Sequence, residues 1–212
     1  PYTTLFRSQS DGFFADSLKQ AKIPVFLLLS AHPLRYAPRP LMAKLTVNDL
    51  DLRRKRVFTR VDYNVPMEKS GGAMVINDDT RIRATLPTLK ALIEKGARII
   101  LAAHLGRPKG ERVASMSLRP VADKLAELTG QPVAFADDCV GEAAEAAINN
   151  LQDGEMLLLE NVRYHSCEEA NDSAFAEQLA ANVDVFVNDA FGAAHRAHAS
   201  TVGIAEVITA RG

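Results

Sequence analysis

Arginine, histidine and amide side chains recur directly after short apolar segments of the chain. These segments are followed by R-V-D-Y-N-V-P (60–66), H-L-G-R-P (104–108), E-N-V-R-Y (160–164) and N-D-A-F-G-A-A-H-R-A-H (188–198). An arginine guanidinium stays charged at physiological pH, and its fixed fork of donors matches phosphate or carboxylate. Five arginines are candidates: Arg60, Arg81, Arg107, Arg163 and Arg196. Brought together, they would suit a ligand with more than one negative group.

Other residues of the same segments complete the candidate site. Gly106 lets a backbone approach a phosphate closely, and the N-termini of helices add unpaired N–H groups. Asp62 and Asn64 are suited to hydroxyl groups on the remainder of such a ligand. These residue types therefore indicate binding of a small polyanion.

Several of these residues have a structural alternative. Arg60 precedes the end of its segment and could pair with a carboxylate on the surface. His198 could be a packed or exposed helix histidine, and Asp189 could cap the following turn. Cys139 and Cys167 have no acid–base constellation nearby in sequence and are interpreted as inert.

Well-known catalytic and metal-binding motifs do not occur in the sequence. There is no Gly-x-x-x-x-Gly-Lys-Ser/Thr loop, no Gly-x-Gly-x-x-Gly fingerprint and no Gly-x-Ser-x-Gly elbow. No His/Cys cluster has metal-ligand spacing, so no metal site is expected. The residues alone indicate an α/β domain that binds a small polyanionic metabolite.

The elements that must position these residues follow from an alternation of apolar runs and helical stretches. Apolar runs such as Ile99–Leu101 and Met156–Leu159 do not alternate with polar residues, which is typical of strands buried on both faces. The predicted strands are 57–61, 98–103, 133–136, 156–159 and 184–187, and the predicted helices are 81–95, 118–129, 139–149 and 173–180. Gly96 and Gly130 end two helices, and Asn171-Asp172-Ser173 offers N-caps to the last.

This order predicts an α/β fold: a doubly wound, mostly parallel sheet with helices on both faces, that is, a Rossmann-like three-layer αβα arrangement. In an open α/β sheet, ligands bind beyond the carboxyl ends of the strands. The candidate residues follow those ends, so we expect them to meet at one edge.

Composition and charge exclude several classes of protein. The chain has 212 residues, 47% hydrophobic and 24% charged, and a net charge of −1, which is ordinary globular usage. Nothing global points to nucleic acid or an anionic membrane. Two cysteines without Cys-x-x-Cys spacing indicate a reducing compartment.

The first 41 residues differ from the rest of the chain. They hold five basic and two acidic residues, which leaves 25 − 5 = 20 basic and 26 − 2 = 24 acidic in the remainder. Prolines at 24, 33, 38 and 40 interrupt this range, and the apolar run Val25–Leu29 is far shorter than the roughly 20 residues of a membrane span. Residues 1–41 are predicted to be a non-native or disordered leader, with a short signal-peptide core as the alternative.

The strand-end motifs resemble those of the phosphoglycerate kinase family. V-D-Y-N-V-P (61–66) is similar to the family's V-D-F-N-V-P. R-I-R-A (81–84), H-L-G-R-P (104–108), L-E-N-V-R (159–163) and D-A-F-G-A-A-H-R-A-H-A-S (189–200) also look like family signatures, in the family's order. The resemblance runs from about residue 46 to about residue 206.

The resemblance implies an enzyme of glycolysis that transfers a phosphoryl group between 1,3-bisphosphoglycerate and ADP, giving 3-phosphoglycerate and ATP. The substrate-binding residues that it implies are Asp62, Tyr63, Asn64, Arg81, His104, Leu105, Gly106, Arg107, Arg163 and Arg196. Arg81 is assigned to the transferring phosphoryl group as the catalytic residue. The resemblance also implies a cytoplasmic monomer that binds neither nucleic acid nor membrane.

Family members have two α/β domains. The resemblance implies that 42–206 is the N-terminal, substrate-binding domain, that 207–212 is a truncated end, and that the C-terminal domain for Mg-ATP or Mg-ADP is absent from this chain. Alone, the chain is expected to bind 3-phosphoglycerate weakly without turnover. The alternative is a non-catalytic α/β module that binds small polyanions. Reading the source DNA beyond Gly212 would discriminate between them.

Overall fold

A computed structural model describes residues 26–29, 46–194 and 196–211. Its strands are β1 (Phe26–Leu29), β2 (Arg56–Val61), β3 (Met67–Ser70), β4 (Ala73–Ile76), β5 (Arg98–Ala102), β6 (Val133–Ala136), β7 (Met156–Leu159) and β8 (Val185–Asp189). Its α-helices are α1 (Thr80–Glu94), α2 (Arg119–Thr129), α3 (Glu142–Asn150), α4 (Ser166–Glu169), α5 (Ser173–Ala180) and α6 (Ile204–Ala210).

The main sheet has six strands in the order β1-β8-β2-β5-β7-β6. Strands β8, β2, β5, β7 and β6 are mutually parallel, and β1 pairs antiparallel with β8 at the edge. The prediction of a mostly parallel α/β sheet is confirmed. Strand β1 lies within the range predicted to be a leader; residues 1–25 and 30–41 of that range lie outside the described residues.

The core consists of two layers, one on each face of the sheet. Val57 and Ile99 pack with Leu89 of α1 and Leu125 of α2 in one cluster. The other contains Phe58 and Ile100 together with side chains of α3, α5 and α6. Neighbouring residues of one strand thus enter opposite layers, which is why the apolar residues of these strands do not alternate with polar ones.

The predicted helix boundaries agree with the structure to within a few residues. Gly96 and Gly130 have φ of 66° and 66°, the left-handed conformation that ends a helix and favours glycine. Asp172 caps α5 by accepting a hydrogen bond from the Phe175 N–H at 2.9 Å. The predicted helix 139–149 begins at Glu142 instead, because Gly141 has φ of 82° and interrupts the helical backbone.

A small hairpin of β3 and β4 is an element that the apolar pattern did not predict. Its two strands pair antiparallel across Gly71-Gly72, which both have positive φ. None of the described helices is long and apolar enough to cross a membrane.

Candidate functional site

The carboxyl ends of four neighbouring strands bring the candidate residues together. Strands β8, β2, β5 and β7 are consecutive in the sheet and parallel, so the segments that follow them leave from the same edge. The predicted convergence of the strand-end motifs at one edge is therefore confirmed as geometry.

Arg60 lies beneath this edge rather than on the surface. It is 0% exposed. Its Nη2 lies 3.0 Å from His104 Nδ1, and its Nε donates to Ser200 Oγ at 2.8 Å. Burial lowers the pKa of Arg60, and the nearby carboxylates of Glu168 and Asp62 oppose that shift. The alternative of a surface ion pair is thus wrong, because Arg60 is part of the floor of the site.

The buried carboxylate of Glu168 supplies the negative charge that offsets the buried Arg60. Glu168 is fully buried, and it accepts hydrogen bonds from the Ser200 N–H at 2.9 Å and from Ser200 Oγ at 2.6 Å. His198 Nδ1 lies 3.7 Å from the same carboxylate. Arg60, Ser200 and Glu168 therefore form one buried chain, in which the Ser200 hydroxyl accepts from the cation and donates to the anion.

His104 is held neutral by its surroundings. Burial lowers its pKa to about 2, and the charges of Arg60, Arg163 and Arg196 add to the effect. Because the Arg60 guanidinium can only donate, His104 Nδ1 must accept and the ring proton must lie on Nε2. His104 therefore presents an N–H donor at the edge of the sheet.

We expect His104 to remain neutral through the physiological range. A ¹⁵N-detected NMR titration from about pH 8 to about pH 5 should show the Nε2–H tautomer throughout, although a free histidine titrates near 6.5. Titration of this ring with a midpoint above about pH 5 would contradict the arrangement.

Arg163 and Arg196 add positive charge near His104. Arg163 is nearly buried, and its Nη1 donates to the Gly106 carbonyl at 2.8 Å. Burial lowers the pKa of Arg163, and the charges of Arg196 and Arg107 lower it further, whereas Glu169 opposes the shift. Arg163 Nε lies 3.1 Å from Glu169 Oε1 without the alignment of a hydrogen bond.

Arg107 is exposed and Arg196 is partly exposed, and within the described ranges neither has an ion pair with a carboxylate. Together with Arg163 they form a region of positive potential that the nearby carboxylates neutralise incompletely. An anion bound there would relieve this repulsion.

The loop of residues 104–108 is shaped by amide side chains. Gly106 has φ of 64°, and a Cβ there would lie 2.9 Å from Met116 Sδ, so this turn requires glycine. Asn64 Oδ1 accepts from the Gly106 N–H at 2.9 Å. Asn161 holds the same loop, since its side chain accepts from the Leu105 N–H and donates to the Leu105 carbonyl.

Arg81 and Asp62 form an ion pair at the mouth of the site. Arg81 Nη1 lies 2.7 Å from Asp62 Oδ2, and the two side chains are 50% and 17% exposed. Gly192 lies against them, since a Cβ at this position would be 2.4 Å from Asp62 Oδ2. The pair leaves half of the Arg81 side chain open to solvent and to a ligand.

Two of the predicted substrate-binding residues do not present their side chains here. Tyr63 is fully buried in a core cluster, and its hydroxyl hydrogen-bonds Thr85 Oγ1 at 2.9 Å. Leu105 is also a core residue. Their side chains therefore hold the strand-end loops in place from below.

Glu168, Ser200 and Asn161 are residues of this region that the sequence analysis did not assign. Asn161 stands within the L-E-N-V-R segment, so the strand-end rule contains a signal for it. Glu168 and Ser200 are 32 residues apart in sequence, and neither follows a strand directly. Only the buried charge of Arg60 could have indicated that an acidic partner was needed.

Asp189, at the end of β8, is a carboxyl group with an incomplete set of partners. Burial raises its pKa to about 6, and the Thr88 hydroxyl only partly offsets this. Its Oδ2 is buried and has no hydrogen-bond partner among the described residues, and Thr88 Oγ1 likewise has no aligned partner there. The suggested capping role of Asp189 is not seen in these contacts.

The pKa of Asp189 gives a prediction for stability against pH. An acid whose pKa is raised by folding stabilises the fold below its unfolded pKa, and this contribution is lost as the pH rises from 3.8 to about 6. The Asp189→Asn variant should therefore be more stable at pH 7 by about 2 kcal/mol, after allowance for partial exposure. Urea unfolding at several pH values measures this. The same pH slope in both chains would rule it out.

The fold and the edge just described define a class of protein: an α/β domain with an arginine-rich site at the carboxyl ends of parallel strands. A family model described as phosphoglycerate kinase matches residues 47–212, so the likeness extends over the last residues that the motifs alone did not reach. The chain belongs to the phosphoglycerate kinase family, a family of kinases.

Similar proteins agree with this assignment. The phosphoglycerate kinase of Rippkaea orientalis is 58% identical over 165 residues, which is 78% of this chain and 40% of the relative. That of Picosynechococcus is 60% identical over 166 residues, covering 77% of this chain and 41% of the relative. The chain thus spans about two fifths of the length of these relatives.

Solved structures show the same fold. The phosphoglycerate kinase of Coxiella burnetii matches with a TM-score of 0.64 and 38% identity, over 74% of this chain and 37% of that one. The enzyme from Pyrococcus horikoshii matches with a TM-score of 0.67 and 36% identity, over 75% of this chain and 40% of that one.

Proposed function

We propose that this chain is the phosphoglycerate-binding half of a phosphoglycerate kinase. The observation that carries the proposal is the group of Arg107, Arg163 and Arg196 at the strand-end edge beside the neutral His104, in which Arg107 and Arg196 have no ion pair within the described ranges. Such a group suits a ligand with a phosphate at one end and a carboxyl at the other. In the proposed reaction of glycolysis, the phosphoryl group moves between the acyl phosphate of 1,3-bisphosphoglycerate and ADP.

Each part of the site has a role in this proposal. Arg107, Arg163 and Arg196 hold the phosphate that is not transferred, and His104 donates its Nε2–H to it. The Asp62 carboxylate and Asn64 lie beside them, where they orient the hydroxyl group. Because these side chains are fixed by the buried Arg60 and by the Gly106 turn, the ligand is bound without large rearrangement of the site.

Arg81 has the catalytic role in the proposal. Phosphoryl transfer depends mostly on positioning and on neutralising charge at the transferring group. Arg81 is tethered to Asp62 through one Nη, so its other N–H donors are free to meet the oxygens of that group. By analogy with arginine fingers, its loss would cost about 10³-fold in rate in a complete enzyme.

The second substrate is Mg-ADP or Mg-ATP. The strand-end site offers cationic donors rather than the oxygen ligands that Mg²⁺ prefers, so we assign none of these residues to the nucleotide. In the proposal the enzyme acts as a monomer in the cytoplasm, and the substrates meet only after a closure step. The two free cysteines are compatible with a reducing compartment.

Calorimetric titration of the 212-residue chain tests this proposal. We expect saturable binding of 3-phosphoglycerate and at least about tenfold weaker binding of glycerate, which lacks the phosphate and its charge-assisted hydrogen bonds. Equal binding of the two compounds, or none, would reject it.

A coupled assay with a complete phosphoglycerate kinase as control should show no turnover by this polypeptide. A protein with the same segment and a nucleotide domain should turn over. If the longer protein also shows no turnover, the result favours the alternative of a non-catalytic module that binds small polyanions.

A further inference from the structure

A second cluster of chemically competent side chains lies beyond the adjacent strands β6 and β7. Asp138 and Cys139 follow β6, and His165 lies at the start of α4 after β7. Their donor atoms, a carboxylate oxygen, a thiol sulfur and an imidazole nitrogen, all lie within 4.8 Å of one another. The strand-end arginines and the proposed phosphotransfer chemistry do not use these three side chains.

The bottom of the cluster is buried, whereas its rim is exposed to solvent. Cys139 is 3% exposed, whereas the side chains of His165 and Asp138 are 28% and 39% exposed. A small ion could therefore enter from solvent between the imidazole and the carboxylate and reach the sulfur below. The His165 ring is held in place by the Phe175 ring, whose centroid lies 4.9 Å away.

The charges around the thiol favour a cation. The carboxylates of Asp138, Glu168 and Glu160 lie near the Cys139 thiol, together with the guanidinium of Arg112. Arg112 Nη2 lies 3.6 Å from Asp138 Oδ2. The other carboxylate oxygen, Oδ1, faces His165 at 2.6 Å, so one oxygen of Asp138 points into the cluster and the other toward the arginine.

We propose that Asp138, Cys139 and His165 form a binding site for a divalent transition-metal ion of the zinc type. One sulfur, one imidazole and one carboxylate ligand are the donor set that Zn²⁺ prefers, and a water molecule would complete a tetrahedron. Within one such tetrahedron, His165 Nε2 and Asp138 Oδ1 would lie about 3.3 Å apart, slightly farther than they do now. The half-exposed rim can open by that amount through side-chain rotation.

Binding displaces protons from the ligands. The Cys139 S–H, which donates to the Glu160 carbonyl at 2.8 Å, releases its proton to solvent and its sulfur bonds the ion as thiolate. His165 binds through the lone pair of neutral Nε2, and any proton shared between Nε2 and Asp138 leaves as well. No oxidation or reduction takes place, and the site is independent of the proposed kinase function.

Titration of the reduced, full-length chain with Co²⁺ tests the site, because Co²⁺ bound to a thiolate gives a charge-transfer absorption band that oxygen and nitrogen ligands alone do not give. We expect this band to saturate at one equivalent and to be removed by Zn²⁺. The Cys139→Ser chain should lose the band, whereas the matched variant Cys167→Ser should keep it. Absence of the band from the unmodified chain overturns the proposal.

Two further variants keep the test decisive if the buried serine impairs folding. His165→Asn changes a rim residue and should weaken Co²⁺ binding by at least about tenfold. Arg112→Gln removes the competing cation and should tighten binding by up to about fivefold, the equivalent of an exposed ion pair. Circular dichroism checks folding. Unchanged Co²⁺ affinity in folded His165→Asn, or the same band in Cys139→Ser and Cys167→Ser, contradicts the site.

Discussion

Replacing Arg163 with alanine is expected to weaken binding of 3-phosphoglycerate by about 10-fold to 100-fold. A hydrogen bond to a charged partner contributes about 1.5–3 kcal/mol, and each 1.4 kcal/mol is tenfold in affinity. Arg163 is nearly buried at the edge of the sheet and also donates to the Gly106 carbonyl. Its removal therefore takes away a phosphate donor and one anchor of the Gly106 turn. Calorimetric titration measures the loss.

A matched control separates this effect from a change in net charge. Arg98 begins β5, at the opposite end of the strand, where its Nε pairs with Asp153 Oδ1 at 2.9 Å. Arg98→Ala should bind 3-phosphoglycerate like the unmodified chain, and Arg196→Ala should bind it weakly. If Arg163→Ala and Arg196→Ala both bind normally, the assignment of the phosphate to this edge is wrong.

Removal of the buried carboxylate should have the largest effect on stability. In Glu168→Ala, Arg60 would remain fully buried without its acidic partner, and the Ser200 N–H and hydroxyl would lose their acceptor. Removing one partner of a buried ionic network costs about 3–5 kcal/mol. We expect a fall of this size in the free energy of unfolding, measured with urea.

The comparison for this variant is Glu177→Ala. Glu177 is an exposed glutamate on α5, and its loss should change stability by no more than about 0.5 kcal/mol. A loss below about 1 kcal/mol in Glu168→Ala would mean that Arg60 does not depend on this carboxylate.

The layers of the fold were predictable because each strand has to bury both of its faces. Ile99 and Ile100 enter opposite clusters, and a strand buried on both faces is mostly apolar, which is visible in the sequence. The hairpin at 67–76 gave no such signal, since M-E-K-S lies at the surface. Gly71-Gly72 was the only indication of its turn.

The site was predictable as far as the strand-end rule reaches. That rule predicted that Arg163 and His104 lie at one edge of the sheet, because parallel strands share their direction. It did not show that Arg60 lies beneath the edge or that Tyr63 turns into the core. Those outcomes depend on partners far along the chain, such as Ser200, which is 140 residues from Arg60.

Cys139 and His165 illustrate the same limit. Their distance in sequence fits no metal-ligand spacing, and only the pairing of β6 with β7 brings them together.

A crystal structure of the chain with 3-phosphoglycerate tests the central claim most directly. The proposed function predicts that the phosphate oxygens lie about 3 Å from the guanidinium nitrogens of Arg163 and Arg196 and from His104 Nε2. It also predicts that the hydroxyl group of the ligand lies beside Asp62 and that its carboxyl end lies toward Arg81. A phosphate bound elsewhere on the domain, or an empty strand-end edge at saturating ligand, would contradict it.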